Sequence, residues 1–286
     1  LAISLWMRLK LSESPVFQAM KAAGETAKNP FVESFTYPGN KKHIFVALFG
    51  ITGILTTIWY TAFFSGMSFL RGPMRMDNQL VEVILFFAGL ISMVFYLIVG
   101  KWSDRVGRKK PIIVGAALTL LLLFPIFWGL GNLANPALAQ AAEDNPVVVT
   151  GTQCSTDPFA DLFDREQSRC GKILETLTAS GVAYNIADST DLSIAVGGET
   201  LAIDDNWFAD GIAQRDGVQA ALTNYGFDFS PQTPSMLNIA GIMALLLALG
   251  LLSALTYGSV AALLAEMFPA KIRYSSMSIP YHIGAG

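Results

Sequence analysis

Five cations and one carboxylate crowd into residues 101–110, Lys101-Trp102-Ser103-Asp104-Arg105-Val106-Gly107-Arg108-Lys109-Lys110. Charges at that density belong in water or among headgroups. Their chemistry is ion pairing: Arg105 and Arg108, three apart, can hold carboxylates from neighbouring helices. Asp104 can cap or face a helix N-terminus, where unpaired N–H groups favour an anion. Gly100 and Gly107 permit close approach and backbone angles that a side chain forbids, and Pro111 suits the first turn of a following helix. Such a cluster can act as a latch. Lys101, Lys109 and Lys110 also read more simply, as charges that mark one side of a membrane. A second charged turn runs from Ala265 through Glu266 to Lys271 and Arg273.

Other chemistries find little footing. Two cysteines and two histidines are too few for a zinc cage, so no metal is expected. There is no glycine-rich phosphate loop ending in Gly-Lys-Ser/Thr and no long basic, aromatic-studded face, which argues against nucleic acid. No catalytic constellation stands out.

The elements that must position these charges are apolar. Of 286 residues 52% are hydrophobic and only 14% charged, with a mean hydropathy of +0.47. That is too apolar for an ordinary soluble domain. Four runs, 44–70, 81–100, 111–130 and 237–264, are each long enough to cross a bilayer as a helix. The first carries Trp59 and Tyr60, readable as packing or as ligand contact. The second has Glu82 in its first turn, either a hydrated interfacial carboxylate or a proton or cation group. The third is so uniformly apolar that it suits a lipid-facing helix. The fourth is dotted with Gly241, Gly250, Ser253, Gly258 and Ser259, which allow close helix approach, and its Tyr257 is the polar group best placed to reach a central cavity.

Residues 1–43 read as the end of one helix followed by a polar linker with a short amphipathic helix over 14–23, capped by Ser14. The chain opens on Leu1-Ala2-Ile3-Ser4-Leu5-Trp6-Met7 and stops just as another apolar segment starts at 276–286, as expected of an internal piece of a longer protein.

Lysine and arginine number thirteen on the connections 8–43, 101–110 and 265–275, and six on the alternate connections 71–80 and 131–236. The first set is therefore expected in the cytoplasm. The segment 131–236 becomes an extracytoplasmic insertion, with fifteen carboxylates against four cations, a formal charge of −11. Both cysteines, Cys154 and Cys170, fall inside it, on the oxidising side, and are expected to form a disulfide. Closing that loop stabilises a small domain by roughly 3 kcal/mol in the chain-entropy model. Strands over 147–149, 182–186, 192–196 and 201–203 and a helix over 165–180 predict a small α+β lobe. The acidic lobe could concentrate cations.

The string Gly100-x-x-x-Asp104-Arg105-x-Gly107-Arg108-Lys109-Lys110 resembles the cytoplasmic loop signature of the major facilitator superfamily at every signature position. Glu266 and Arg273 form the E-x6-R that follows the tenth helix in such carriers. Together with Arg8-Leu9-Lys10-Leu11-Ser12-Glu13-Ser14-Pro15-Val16-Phe17 and Ile279-Pro280-Tyr281-His282-Ile283-Gly284, the pattern is similar to the metabolite:proton symporters, carriers of proline and betaine, shikimate, citrate and α-ketoglutarate.

This resemblance implies an all-α polytopic membrane protein, the C-terminal half of a major facilitator carrier with helices seven to ten complete, plus the α+β insertion. It implies a domain plan of 1–43, 44–130, 131–236 and 237–286, and a multi-pass location in a cell membrane, the inner membrane of a bacterium. It implies secondary transport of a small organic solute with a proton by alternating access, no cofactor, and a partner half of six helices without which this chain does not transport. Asp104, Arg105 and Arg108 with Glu266 and Arg273 would hold the inner gate, Glu266 on Arg105 or Arg108 and Arg273 near Asp104. Trp59, Tyr60, Glu82, Tyr257 and His282 are its candidates for the solute cavity. A reading of a different class is a membrane-anchored sensor that binds its ligand in the acidic lobe.

Overall fold

The computed structural model describes residues 6, 15–152, 154–157, 159, 160, 163 and 165–286. The expected helix end at 1–7, the Ser14 cap and most of the 8–17 motif lie outside the described residues, as do Asp161 and Asp164 of the insertion. The chain divides into two compact units, residues 1–60, 93–120 and 251–286 in one and 61–92 and 121–250 in the other.

Four helical stretches are long and apolar enough to cross a membrane: α3 (Asn40–Arg71), α4 (Asn78–Val106), α5 (Lys109–Ala134) and the stretch Met236–Met267. They follow the short helices α1 (Pro15–Ala22) and α2 (Pro30–Thr36). Each span exceeds its apolar run by several residues, because the polar flanks continue the helix beyond the hydrocarbon-length core. The span α3 is π-helical over Val46–Thr52 and Thr61–Ser65. At the first of these the Thr52 hydroxyl, with one proton to donate, lies within hydrogen-bond reach of the Ala47, Leu48 and Pro280 carbonyls at 3.0, 2.9 and 3.0 Å.

In the first unit the spans cross at glycines. A Cβ on Gly100 would stand 3.3 Å from the Gly258 carbonyl, and one on Gly258 would stand 3.1 Å from the Tyr96 carbonyl. A Cβ on Gly115 would meet the side chains of Leu255 and Thr256 at 2.8 Å. Small residues let backbones touch where no hydrophobic force drives helices together in lipid. The stretch Met236–Met267 is not one continuous helix: α9 (Met236–Tyr257) and α10 (Val260–Met267) are separated at Gly258-Ser259. After the turn, α11 (Arg273–Ala285) follows, with Pro280 inside it.

The second unit holds the lobe. Between α6 (Pro136–Asp144), α7 (Arg169–Ala179) and α8 (Gly211–Thr223) lies a four-stranded sheet of β1 (Val147–Gly151), β2 (Tyr184–Asp188), β3 (Ser193–Val196) and β4 (Glu199–Leu201), in the order β2-β1-β3-β4. Strands β1 and β2 run parallel across the α7 crossover, and the other pairs are antiparallel. Val149, Ile173, Leu177, Ile194, Val196, Val218 and Leu222 make its core, each fully buried. The Cys154–Cys170 disulfide joins the segment after β1 to the first turn of α7, with the two Cα atoms 5.0 Å apart.

The lobe grips the turn that links the first two spans. Gln232 pairs with Met76 as an isolated bridge, and Arg75 donates to the Gln219 side chain at 3.0 Å. Gly181, at φ 74°, lies so close to Pro73 and Met74 that a Cβ there would stand 2.8 Å from the Pro73 carbonyl.

Candidate functional site

Arg108 is the hub of the first charged turn. Helix α4 stops at Val106, and Gly107 takes φ 93° while its N–H reaches the Ser103 carbonyl at 3.0 Å, a left-handed helix stop that glycine adopts without strain. This turn folds Arg108 back over the helix end. Its guanidinium pairs with Asp104, donates to the buried Ser103 hydroxyl at 2.8 Å, and meets Glu266 at 3.2 Å through Nε. Its carbonyl accepts from the Ser259 hydroxyl at 3.1 Å. Residues 158 positions apart in the chain are thus held in one contact. The carboxylate of Asp104 first, and that of Glu266 second, push the Arg108 pKa upward.

The wiring differs from expectation at three points. Asp104 does not cap a helix N-terminus; it sits in the last turn of α4 and is spent on Arg108. Arg273 donates its Nε–H to the Phe268 carbonyl at 3.2 Å and, among the described residues, forms no ion pair with Asp104 or any other carboxylate. Arg105 is exposed and likewise makes no ion pair among the described residues. The physical reason is the Gly107 turn, which brings position 108, not 105, round to Glu266.

A second cluster lies along the spans of the same unit. The Tyr257 and Tyr281 hydroxyls are bonded to each other. Tyr96 reaches Ser253 at 2.8 Å, and the Tyr96 and Tyr257 rings meet edge to face at 6.1 Å. Ser253 and Tyr257 share a helix face at i and i+4. Three hydroxyphenyl groups from three helices therefore converge, each able to donate or accept a hydrogen bond. His282 is exposed and packs on the Tyr281 ring at 5.7 Å. Trp59 and Tyr60 pack on each other at 5.3 Å.

Glu82 belongs to the second unit. Its side chain is 68% exposed and accepts from Arg71 at 2.7 Å, which makes it half of an ion pair rather than a buried proton group. Sequence reasoning gave Ser253 and Ser259 only a packing role, met Ser103 and Tyr281 only as parts of motifs, and passed over Tyr96. Only the Ser253/Tyr257 spacing carried a readable signal; the others depend on which helices cross. Among the described residues no group of histidine, cysteine or carboxylate side chains is placed to hold a metal ion.

Three curated proteins are similar in sequence. The chain is 29% identical over 120 residues to the uncharacterized MFS-type transporter YwoD of Bacillus subtilis (strain 168), an alignment covering 35% of this chain and 26% of the relative. It is 22% identical over 203 residues to the alpha-ketoglutarate permease of Escherichia coli (strain K12), covering 69% and 45%. It is 30% identical over 155 residues to the inner membrane metabolite transport protein YhjE of the same organism, covering 51% and 31%. The chain thus spans less than half the length of the curated relatives it matches. No protein-family model matches the chain, and no solved structure does. All three relatives are named as transport proteins, one of them as of the MFS type, and the chain itself has four helices long and apolar enough to cross a membrane.

Proposed function

We propose that this chain is the C-terminal part of a secondary carrier of small organic solutes, coupled to protons and working by alternating access against a second set of helices. The observation that carries the reading is the Arg108 contact, which ties the end of α4, through Asp104, to the last turn of α10, through Glu266. Such a knot suits a two-state gate: made, it holds two helix ends together; broken, it frees them to rock apart. In this reading both turns face the cytoplasm, as the excess of lysine and arginine on those connections supports, and the acidic lobe lies outside.

The tyrosine cluster is the proposed solute contact. Hydroxyl groups of Tyr96, Tyr257 and Tyr281 offer donors suited to a carboxylate, the chemistry named in the alpha-ketoglutarate permease. The choice of a carboxylate solute rests on that similarity, and proton coupling on the resemblance of the two charged turns to those of the metabolite:proton symporters.

The test is uptake of a panel of dicarboxylates and betaines into proteoliposomes holding the full-length protein, with and without an inward proton gradient. Arg108→Gln and Glu266→Gln should each lower uptake by at least about ten-fold, the loss of about 1.4 kcal/mol of gate bias. The exchange Arg108→Glu with Glu266→Arg should recover part of it. Uptake that no gradient drives, or that neither substitution changes, would refute the gate.

A further inference from the structure

The stretch Val46–Thr52 of α3 is π-helical, and Gly50 within it is exposed. A groove of about 460 Å³ opens against it, walled by Gly50 and Ile51 of α3, Ile113 of α5 and Leu263 of α10. Val46, Ile112 and Met267 complete its apolar wall. The polar members are Lys42, His43 and Lys109, and among the described residues that line it there is no carboxylate. Lys42 and Lys109 are exposed and form no ion pair among the described residues. Lys42 stands two residues before the apolar run of α3, and Lys109 opens α5 two residues before Pro111. Both ammonium groups therefore stand where a membrane helix passes from hydrocarbon to headgroup.

We infer that this groove binds one anionic phospholipid, with an acyl chain against Gly50, Ile51, Ile113 and Leu263 and the phosphate between Lys42 and Lys109. An apolar trench with a purely cationic end matches an amphiphile whose head is anionic. Free phosphate would leave the trench wet, and a zwitterionic lipid would present the two lysines with an ammonium as well as a phosphate. The inference needs only the membrane placement of the spans. It stands or falls apart from the transport reading, because lipid retention is measured without uptake.

The test is native mass spectrometry of the purified full-length protein, titrated in detergent with phosphatidylglycerol or phosphatidylcholine of matched acyl chains. One phosphatidylglycerol should be retained about thirty-fold more tightly than phosphatidylcholine, given roughly 1 kcal/mol for each of the two lysines near an anionic headgroup. Lys42→Gln with Lys109→Gln, both surface changes, should bring the two lipids to within about two-fold of each other by the same reckoning. Gly50→Phe should remove the site for both lipids. A Cβ at position 50 meets only Val46 Cγ1 at 3.8 Å, so the ring can enter the groove without displacing backbone. Glycerol 3-phosphate should displace nothing. Equal retention of both lipids by the unsubstituted chain, indifference to both variants, displacement by glycerol 3-phosphate, or cross-linking from position 50 to another protein segment or a second copy would overturn it.

Discussion

The lobe and the spans bury their apolar side chains by opposite rules, although one chain makes both. In the lobe Ile173, Leu177, Ile194 and Val218 are sealed between sheet and helices. Along the third span Leu120, Leu121, Phe124 and Trp128 are 70–81% exposed. A water-soluble protein with that surface would aggregate; in hydrocarbon it costs nothing, because lipid tails are as apolar as leucine. The lobe is thus held by the hydrophobic effect, while the spans are held by shape at Gly100, Gly115 and Gly258 and by hydroxyls such as Tyr96 and Ser253. One region loses stability when a side chain is made smaller, the other when one is made larger.

The largest effect should therefore come from shrinking the lobe core. Ile173→Ala removes a fully enclosed side chain and should cost about 2–5 kcal/mol, the range for deleting a buried aliphatic group. Leu121→Ala, an equal deletion on the third span, should change stability by about 0.5 kcal/mol or less. Hydrogen exchange of the α7 and β1 amides reads the first, and thermal unfolding in detergent the second. Equal losses at the two positions would erase the distinction.

The converse experiment adds one methyl group. Gly258→Ala would set a Cβ 3.1 Å from the Tyr96 carbonyl and 3.3 Å from Val99 Cγ1, and should cost about 1–3 kcal/mol by overpacking. Gly198→Ala in the lobe meets no atom within 4 Å. Its cost should come only from the backbone at φ 88°, about 1 kcal/mol. Thermal unfolding in detergent compares them, and a larger loss at Gly198 would reverse the expectation.

The same contrast explains what could be read from the sequence. The spans were legible because a bilayer demands about twenty apolar residues in a row and nothing else in the chain supplies them. The lobe was legible in outline only. The last strand was expected at 201–203 and lies at Glu199–Leu201, because the Gly197-Gly198 turn, both residues at positive φ, pairs Val196 directly with Glu199. The α7 helix was expected from 165 and starts at Arg169, where the Ser168 hydroxyl accepts from Gly171 N at 3.0 Å. Helix α8 was missed because Gly211 and Gly217 dilute its apolar period, although Asp210 is a readable cap that accepts from Ile212 and Ala213. In the candidate site, the resemblance named Arg108 and Glu266 as one option and left Arg105 as another. Only the Gly107 turn chooses between them. The tyrosine cluster depends on α4, α9 and α11 meeting, and no local pattern encodes a crossing.

The smallest effect concerns α2, where a carboxylate adds to the packing of Phe35 against the apolar cluster around Ile44 and Phe268. Glu33 Oε2 meets Lys271 Nζ at 2.9 Å, while Oε1 accepts from the backbone N–H of Lys28 at 2.9 Å. Ser34, Asn40 and Ser276 form a buried hydrogen-bonded set beside it. The Lys271 hydrogen bond first, and the backbone N–H groups of Asn29 and Lys28 after it, hold the Glu33 pKa below its ordinary 4.5, against a smaller opposing effect of burial. A carboxylate whose pKa is lower folded than unfolded contributes its full share above the unfolded value and loses it as pH falls through the folded one. Amide exchange in α2 should therefore be constant above pH 4.5 and quicken below it, relative to its intrinsic rate. Lys271→Gln should move that onset to higher pH and leave the lobe amides unchanged. An onset that stays where it was would mean that α2 is held by the buried Ser34–Asn40–Ser276 set and the packing of Phe35, neither of which titrates in this range.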